Sequence, residues 1–276
     1  MAPGNQKAKS LSAPEAAQRA RQQARLEGKV AVVTGVGNGI GRGVALMFAR
    51  QGACVVGCDI DDVAAAHTIA EAKKEGIALS SVAPIDLTKQ GSAERVVEEA
   101  VRNHGGLDIL VNAAAFCHFQ WIEAMTLDQW RESLAAELDL VFLACKAAWP
   151  NLRERGGGSI VNFASVNAYM ALAGSAALAH CAGKGGVLAM TRQLAMEGGP
   201  HNIRANTISP GFIETAATRR HLDAVPDLLD SVLARKMIKR IGQPDDIAWM
   251  ATFLCSDEAS WITASDFGVD GGARAW

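Results

Sequence analysis

The stretch LAHCAGKGGV, from Leu178 to Val187, contains a histidine and a lysine whose spacing suits acid–base chemistry. Residues four apart on a helix lie on one face, so His180 and Lys184 would lie together. An imidazole, with an ordinary pKa of about 6.5, is an effective general acid or base near neutral pH. A neighbouring ammonium couples to it electrostatically. The pair therefore predicts a proton-transfer site.

Two other chemistries fit this stretch poorly. Cys181 is adjacent to His180, but neighbouring residues on a helix point about 100° apart, which disfavours a cysteine–histidine nucleophilic pair. No metal site is predicted, because the remaining histidines lack the spacing of metal ligands. They are His67, His104, His118, His201 and His221.

A second chemical signal is the glycine-rich stretch TGVGNGIG, Thr34 to Gly41, which lies between an apolar run and a helical pattern. Glycines let the chain turn tightly beside a pyrophosphate, and the N–H groups at the helix start bind phosphate. Asp59 follows about 20 residues later, where a carboxylate binds an adenosine ribose and repels a 2′-phosphate. The prediction is a site for NAD rather than NADP. An ordinary strand-to-helix turn and a solvated loop acid are the alternatives.

These residues would be positioned by short apolar runs that alternate with helical stretches from Gly28 onward. Continuously apolar strands separated by helices are typical of a parallel sheet covered on both faces. The pattern predicts a single α/β domain, a doubly wound Rossmann-type sheet of about seven strands with helices on both faces. The predicted strands lie within residues 29–35, 53–59, 79–86, 107–114, 158–165, 203–211 and 265–272.

Together these features resemble the short-chain dehydrogenase/reductase family over nearly all of residues 28–272. The turn has that family's TGxxxGxG form, and LVNAAA (110–115), SPGFIET (209–215) and VDGG (269–272) are similar to its later motifs. The resemblance implies hydride transfer between a nicotinamide and a carbinol or carbonyl carbon. It also implies cofactor contacts from Gly35, Asn38, Gly39, Ile40, Gly41, Asp59, Ile60, Asp86, Leu87, Asn112, Ala113, Ala114, Lys184, Pro210, Gly211, Ile213 and Thr215.

The resemblance also assigns roles, and some positions depart from it. In the family a tyrosine exchanges the proton, a lysine four residues later tunes it, a serine polarises the substrate oxygen, and an asparagine completes a water-linked path. Ser165 and Lys184 match, whereas His180 stands at the tyrosine position and Glu137 at the asparagine position; Ala115 replaces a glycine. A carboxylate donates no hydrogen bond unless protonated, so the relay is altered. A new relay of Glu137, His180 and Lys184 is one interpretation, and a site that has lost its turnover is the other.

Tyr169, the chain's only tyrosine, lies four residues after Ser165 and is a second candidate for the missing phenol. A packing or substrate-wall role is its alternative. Arg219 and Arg220 could meet an anionic group or simply be solvated. An apolar or cyclic substrate is predicted, because the expected wall is largely apolar. That wall comprises Cys117, His118, Phe119, Trp121, Asn167, Tyr169 and residues 217–237.

Composition restricts the remaining functions. The 276 residues carry a formal net charge of -2, which disfavours nucleic acid and anionic membranes as partners. Six cysteines without disulfide or zinc spacing indicate reduced thiols in a cytoplasmic protein. No apolar run is long enough to span a bilayer. Residues 1–27, poor in large apolar side chains, are predicted to be a partly ordered extension of a domain at 28–276.

The sequence thus predicts an NAD(H)-dependent oxidoreductase acting on a secondary alcohol or carbonyl of a small apolar or cyclic substrate. The family resemblance implies a homodimer or homotetramer, with dimerisation through the helices that bear Glu137 and His180. Two alternatives stay open. One is an NAD-binding protein with lyase, isomerase or cyclase activity, and the other is a catalytically silent subunit that stabilises an active partner.

Overall fold

A computed structural model of the chain describes residues 24–172, 174–224 and 227–275. Its strands are β1 (Val30–Thr34), β2 (Cys54–Cys58), β3 (Leu79–Val82), β4 (Ile109–Asn112), β5 (Gly158–Phe163), β6 (Ile203–Pro210) and β7 (Asp266–Val269). They form one parallel sheet in the order β3-β2-β1-β4-β5-β6-β7. The predicted Rossmann-type fold is confirmed.

The helices of the described chain connect these strands and cover the sheet. Two further segments matter for the site: a π-helical segment, Ala135–Asp139, and a 3-10 turn, Val166–Ala168. The α-helices are α1 (Gly39–Arg50), α2 (Asp62–Glu75), α3 (Ser92–His104), α4 (Leu127–Leu134), α5 (Leu140–Glu154), α6 (Leu178–Gly198), α7 (Ala216–Ala224), α8 (Leu228–Ala234) and α9 (Pro244–Cys255).

Strand β1 shows why the sheet needs a layer of helices on each face. All five of its residues are buried, and successive side chains of a strand point to opposite faces. Val30 and Val32 pack in a cluster with side chains of α3 and α5, whereas Ala31 and Val33 pack in a second cluster with α1 and α9. Alternate residues of this one strand therefore belong to the two hydrophobic clusters on opposite faces of the sheet.

The strand order reverses at β1, which pairs with β2 on one side and β4 on the other. Ligands of doubly wound sheets bind at such a reversal, outside the carboxyl ends of the strands. Here Oγ1 of Thr34 accepts hydrogen bonds from the N–H groups of Ala113 and Ala114, both at 2.9 Å. The segments after β1 and β4 are thereby joined at the edge where a ligand is expected.

The N-terminal part of the described chain packs on the domain. Leu26 is fully buried, and its N–H donates to the carbonyl oxygen of Gln51 at 2.9 Å. The predicted extension at 1–27 therefore ends in residues that dock on the fold, while residues 1–23 lie outside the described residues. No helix in the described part of the chain is both long and apolar enough to cross a membrane.

Candidate active site

A cavity of about 620 Å³ lies beyond the carboxyl ends of β4, β5 and β6. Most of its wall is apolar, as is typical of small-molecule sites. The structure brings together at this cavity the four main catalytic candidates, Glu137, Ser165, His180 and Lys184. It also places there part of the predicted cofactor set: Ile40, Ala113, Pro210, Gly211, Ile213 and Thr215.

His180 and Glu137 form a hydrogen-bonded pair in the cavity wall. Nδ1 of His180 lies 2.6 Å from Oε1 of Glu137. Only 2% of Glu137 is exposed, so water screens the interaction weakly. An ionised carboxylate only accepts, so an ionised Glu137 requires the hydrogen on Nδ1, and a neutral imidazole then carries its lone pair on Nε2. The carboxylate thus holds the imidazole in the tautomer of a base.

Glu137 reaches His180 from the π-helical segment between α4 and α5. Single-turn π segments are frequent at functional sites, because they change the direction in which side chains point. On α6, Gly183 faces this carboxylate closely: a Cβ there would lie 2.8 Å from Oε2 of Glu137. Glycine at 183 therefore makes room for the glutamate.

Lys184 supplies the positive charge next to the pair. Burial lowers the pKa of Lys184, and the Glu137 carboxylate acts in the opposite direction. Oε2 of Glu137 is buried and makes no hydrogen bond within the part of the chain that the structure describes. The attraction of Lys184 therefore compensates the charge on this carboxylate.

Cys117 lies in the same electrostatic environment but is poorly suited to nucleophilic chemistry. Burial, together with the Glu137 charge, raises the pKa of the Cys117 thiol to about 11. The thiolate is the reactive form of cysteine, so the thiol is protonated and unreactive at neutral pH. All six cysteines of the chain are free.

Ser165 is positioned by the turn that follows β5. It is the N-cap residue of the 3-10 turn, and its Oγ accepts a hydrogen bond from the N–H of Asn167 at 3.1 Å. Since the hydroxyl accepts this bond, its own proton can be donated to a ligand in the cavity.

The ring of Phe119 packs over His180, with 5.7 Å between ring centroids.

Tyr169 is not brought to the cavity. Its hydroxyl donates to Oδ2 of Asp266 at 3.0 Å, and the guanidinium of Arg274 lies 4.7 Å from the centre of its ring. Asp266 also accepts from Thr207 and Ser209 at 2.6 and 2.8 Å. The tyrosine therefore ties the loop after β5 to the last strand.

We expect Tyr169→Phe to retain turnover within about threefold, because the lost hydroxyl serves Asp266 and not the cavity. Loss of one partly exposed hydrogen bond costs about 1 kcal/mol, which gives a slightly lower Tm. Steady-state kinetics and thermal unfolding check this. A drop in kcat beyond a hundredfold would instead place the phenol in the reaction.

The glycine-rich turn, residues 34–41, brings two stretches of backbone into close contact just before and at the start of α1. A Cβ at Gly41 would overlap the carbonyl oxygen of Gly35, so only glycine fits this turn. The N-cap residue of α1, Asn38, makes no side-chain capping hydrogen bond. The N–H groups of the first turn of α1 thus lack this usual acceptor and can bind phosphate.

Asp59 lies beside the glycine-rich turn at the end of β2. Its Oδ2 accepts from the N–H of Gly37 at 2.7 Å, and its Oδ1 accepts from the N–H of Asp61 at 2.9 Å. A carboxylate has about four acceptor positions, so others remain for ribose hydroxyls. Two further residues of the predicted cofactor set follow Asp59 and Asp86 in the chain. The first, Ile60, is exposed, and the second, Leu87, is buried in the core.

Two predicted cofactor residues use their side chains within the protein. Nδ2 of the buried Asn112 donates to Oδ1 of Asn162 at 2.8 Å, inside the sheet. Asp86 accepts from the hydroxyl and the N–H of Thr88 at 2.7 and 2.9 Å, and these bonds lower the pKa of Asp86. Oδ1 of Asn112 is buried and makes no hydrogen bond to the residues that the structure describes.

The predicted substrate wall is partly correct. Cys117, Phe119 and Asn167 line the cavity, whereas His118 and Trp121 do not. Within the predicted segment 217–237, Leu228 and Val232 line the cavity at the helical spacing of four residues. Four further apolar lining residues were not predicted, namely Phe116, Met170, Leu172 and Phe212.

Among the described residues, no group of three or more His, Cys, Asp or Glu side chains is arranged to hold a metal ion.

Comparison with known proteins places the chain in a family. Residues 35–274 match the family model described as enoyl-(acyl carrier protein) reductase. The chain is 36% identical over 228 residues to 2,5-dichloro-2,5-cyclohexadiene-1,4-diol dehydrogenase LinX of Sphingobium indicum, covering 83% of this chain and 89% of that protein.

Two solved structures are similar over almost the whole chain. The gox2181 structure has a TM-score of 0.87 and 35% identity, covering 92% of this chain and 98% of that one. A 7α-hydroxysteroid dehydrogenase complexed with NADH and 7-oxo glycochenodeoxycholic acid has a TM-score of 0.85 and 32% identity, covering 91% and 96%. The chain therefore belongs to the short-chain dehydrogenase/reductase family of oxidoreductases.

Proposed function

We propose that the protein is an NAD(H)-dependent oxidoreductase that interconverts a secondary alcohol and a ketone, with His180 as its proton-transfer group. The observation that carries this proposal is the 2.6 Å contact between Nδ1 of His180 and buried Glu137, in a cavity shared with Ser165 and Lys184. The apolar wall favours an apolar or cyclic substrate. The relatives named for a cyclohexadiene diol and a hydroxysteroid support the same substrate class.

Ser165, His180 and Glu137 each have a separate role in the proposed proton transfer. In the oxidation direction, the Ser165 hydroxyl donates a hydrogen bond to the substrate oxygen, and Nε2 of His180 accepts the substrate's hydroxyl proton. The resulting imidazolium is stabilised by the Glu137 carboxylate through the Nδ1–H bond, as in other carboxylate–histidine pairs. In the reduction direction, the imidazolium returns the proton to the forming alkoxide.

The nicotinamide end of the cavity fits a dinucleotide. Ile40, Ala113 and Ile213 would form its apolar walls, and the glycine-rich turn with the start of α1 would hold the diphosphate. When bound, the cofactor supplies the hydride acceptor or donor. Lys184 would hold the adjacent ribose hydroxyls, and its charge also balances Glu137.

The choice of NAD over NADP is assigned to Asp59. We expect Asp59→Ser to weaken NADH binding about tenfold and to strengthen NADPH binding, because charge-assisted hydrogen bonds to the ribose are lost and the repulsion of a 2′-phosphate is removed. The dissociation constants follow from nicotinamide fluorescence titrations. Asp62→Ser, at an exposed acid in the first turn of α2, is the matched control and should change neither constant. Tighter binding of NADPH than NADH by the wild type would contradict this assignment.

The proposed function is tested with the purified protein and a panel of secondary alcohols and ketones, each with NAD⁺ or NADH. We expect turnover of cyclic members of the panel, followed by the absorbance of the reduced nicotinamide. Absence of NADH binding at millimolar concentration would overturn the proposal. NADH binding with no turnover of the panel, and turnover restored by His180→Tyr, would overturn the role given to His180.

A further inference from the structure

The cavity lining contains more basic than acidic side chains. Among the described lining residues, Glu137 is the single acid, whereas Lys184, Arg220, Arg235 and Lys236 are basic. The whole chain carries a net charge of -2, so this basic excess is local. The charge of Lys184 is attracted by the Glu137 carboxylate. The other three cations all come from the segment after β6.

The geometry of α7 and α8 turns both arginines toward the cavity. Leu228, Val232 and Arg235 line it at a spacing of four and three residues, which is one face of a helix. Ala217 and Arg220 line it from α7 at a spacing of three. Both arginines are solvent-exposed, so they border an apolar wall at the mouth of the cavity.

Lys236 fixes the chain next to Arg235. Only 3% of Lys236 is exposed, and its Nζ donates to the carbonyl oxygens of Phe212 and Arg240 at 3.1 and 3.2 Å. Burial lowers the pKa of Lys236, and the charge of Asp270 opposes this. These hydrogen bonds hold the C-terminal end of α8 against Phe212, and they thereby restrict the position of the adjacent Arg235.

We propose that the substrate carries an anionic group, such as a carboxylate, on its apolar body, and that Arg220 and Arg235 bind this group. The guanidinium is suited to this role because its N–H groups match the two oxygens of a carboxylate. The inference rests on the proposed function, because it assigns the cavity to the substrate. It names the class of that substrate as apolar carbonyl or hydroxy acids.

The cofactor diphosphate is a second possible source of negative charge. A Cβ at Gly39 of the glycine-rich turn would lie 3.0 Å from Cγ2 of Thr215, and α7 begins at the next residue. A test must therefore separate an anion of the substrate from an anion of the cofactor.

The test uses two fluorescent probes that differ by one sulfonate group, anilinonaphthalenesulfonate and the neutral phenylnaphthylamine, titrated into the full chain with saturating NAD⁺. We expect the Arg220→Gln, Arg235→Gln double variant to weaken binding of the sulfonate about tenfold, as for the loss of a charge-assisted hydrogen bond. Binding of the neutral probe and of NADH should be unchanged. The corresponding double lysine variant should recover part of the lost affinity, because it keeps the charges.

Arg219→Gln is the matched control, because Arg219 forms an ion pair with Glu214 and does not line the cavity. It should leave sulfonate binding unchanged. Equal sulfonate affinity in the wild type and the double glutamine variant would overturn the proposal. Weaker NADH binding with unchanged sulfonate binding would also overturn it, by assigning the arginines to the cofactor. The probes need no turnover, so a failure of the proposed redox function gives a different result from a failure here.

Discussion

His180→Ala is expected to lower kcat by about 10²- to 10⁴-fold, the range typical for loss of a general acid or base. The substitution removes Nε2, the atom to which we assign acceptance of the substrate proton, while the proposed cofactor site is built from other residues. Affinity for NADH should therefore be unchanged. Steady-state kinetics in both directions, combined with fluorescence titration of NADH, separate the two quantities.

Tyr169→Phe is the control for this experiment, because it changes a polar ring that lies outside the cavity. Equal kcat in the wild type and His180→Ala would show that another group transfers the proton. A parallel loss of NADH affinity in His180→Ala would assign the histidine to cofactor binding.

Glu137→Gln is expected to lower kcat by about 10²- to 10⁴-fold with little change in KM. An amide can donate its N–H to Nδ1 of His180, which would move the imidazole hydrogen to Nε2 and leave no base facing the substrate. Replacing the carboxylate of a serine protease triad by its amide costs about 10⁴-fold for this reason. The separation of kcat from KM, measured by steady-state kinetics, distinguishes this effect from a general loss of fold.

The same variant should change the pH dependence of cofactor binding. Glu137 raises the pKa of Lys184 against the effect of burial, so its replacement should lower that pKa further. The charged form of Lys184 would then be lost at a lower pH as the solution becomes alkaline. NADH affinity should consequently weaken at a lower pH in Glu137→Gln than in the wild type, and identical profiles would contradict the coupling.

Gly183→Ala disturbs the pair independently of the carboxylate chemistry. The new methyl group would lie 2.8 Å from Oε2 of Glu137, closer than such contacts allow. We expect kcat to fall while NADH binding persists. Gly185→Ala, on the same helix with open space around its Cβ position, is the matched control and should keep wild-type kcat.

The fold was predictable from the sequence because central strands such as β1 are apolar throughout and the turns are marked by glycine and aspartate. The run VAVVT of β1 can be buried only between two layers, and this requirement specifies a parallel sheet covered by helices. The placement of His180 and Lys184 on one helix face was equally predictable, since the two residues are four positions apart on α6.

Other parts of the site depend on contacts that local patterns do not encode. Glu137 reaches His180 through a π-helical turn across 43 residues, so no local pattern encodes their contact, and only the family resemblance suggested a relay that contains both. Tyr169 turns away because Asp266, 97 residues distant, offers it an acceptor. Asn112 is buried by its partner Asn162 on β5, which only strand pairing reveals.

Chemical rescue tests the central claim most directly, namely that the imidazole of His180, oriented by Glu137, exchanges the substrate proton. Imidazole is added to His180→Ala at fixed pH with saturating NAD⁺ and alcohol substrate, and the rate of reduced nicotinamide formation is followed. We predict that the rate rises with imidazole concentration in His180→Ala, but not in the wild type or in His180→Ala combined with Ser165→Ala. An active wild type together with a His180→Ala variant that turns over at the same rate without imidazole would contradict the claim.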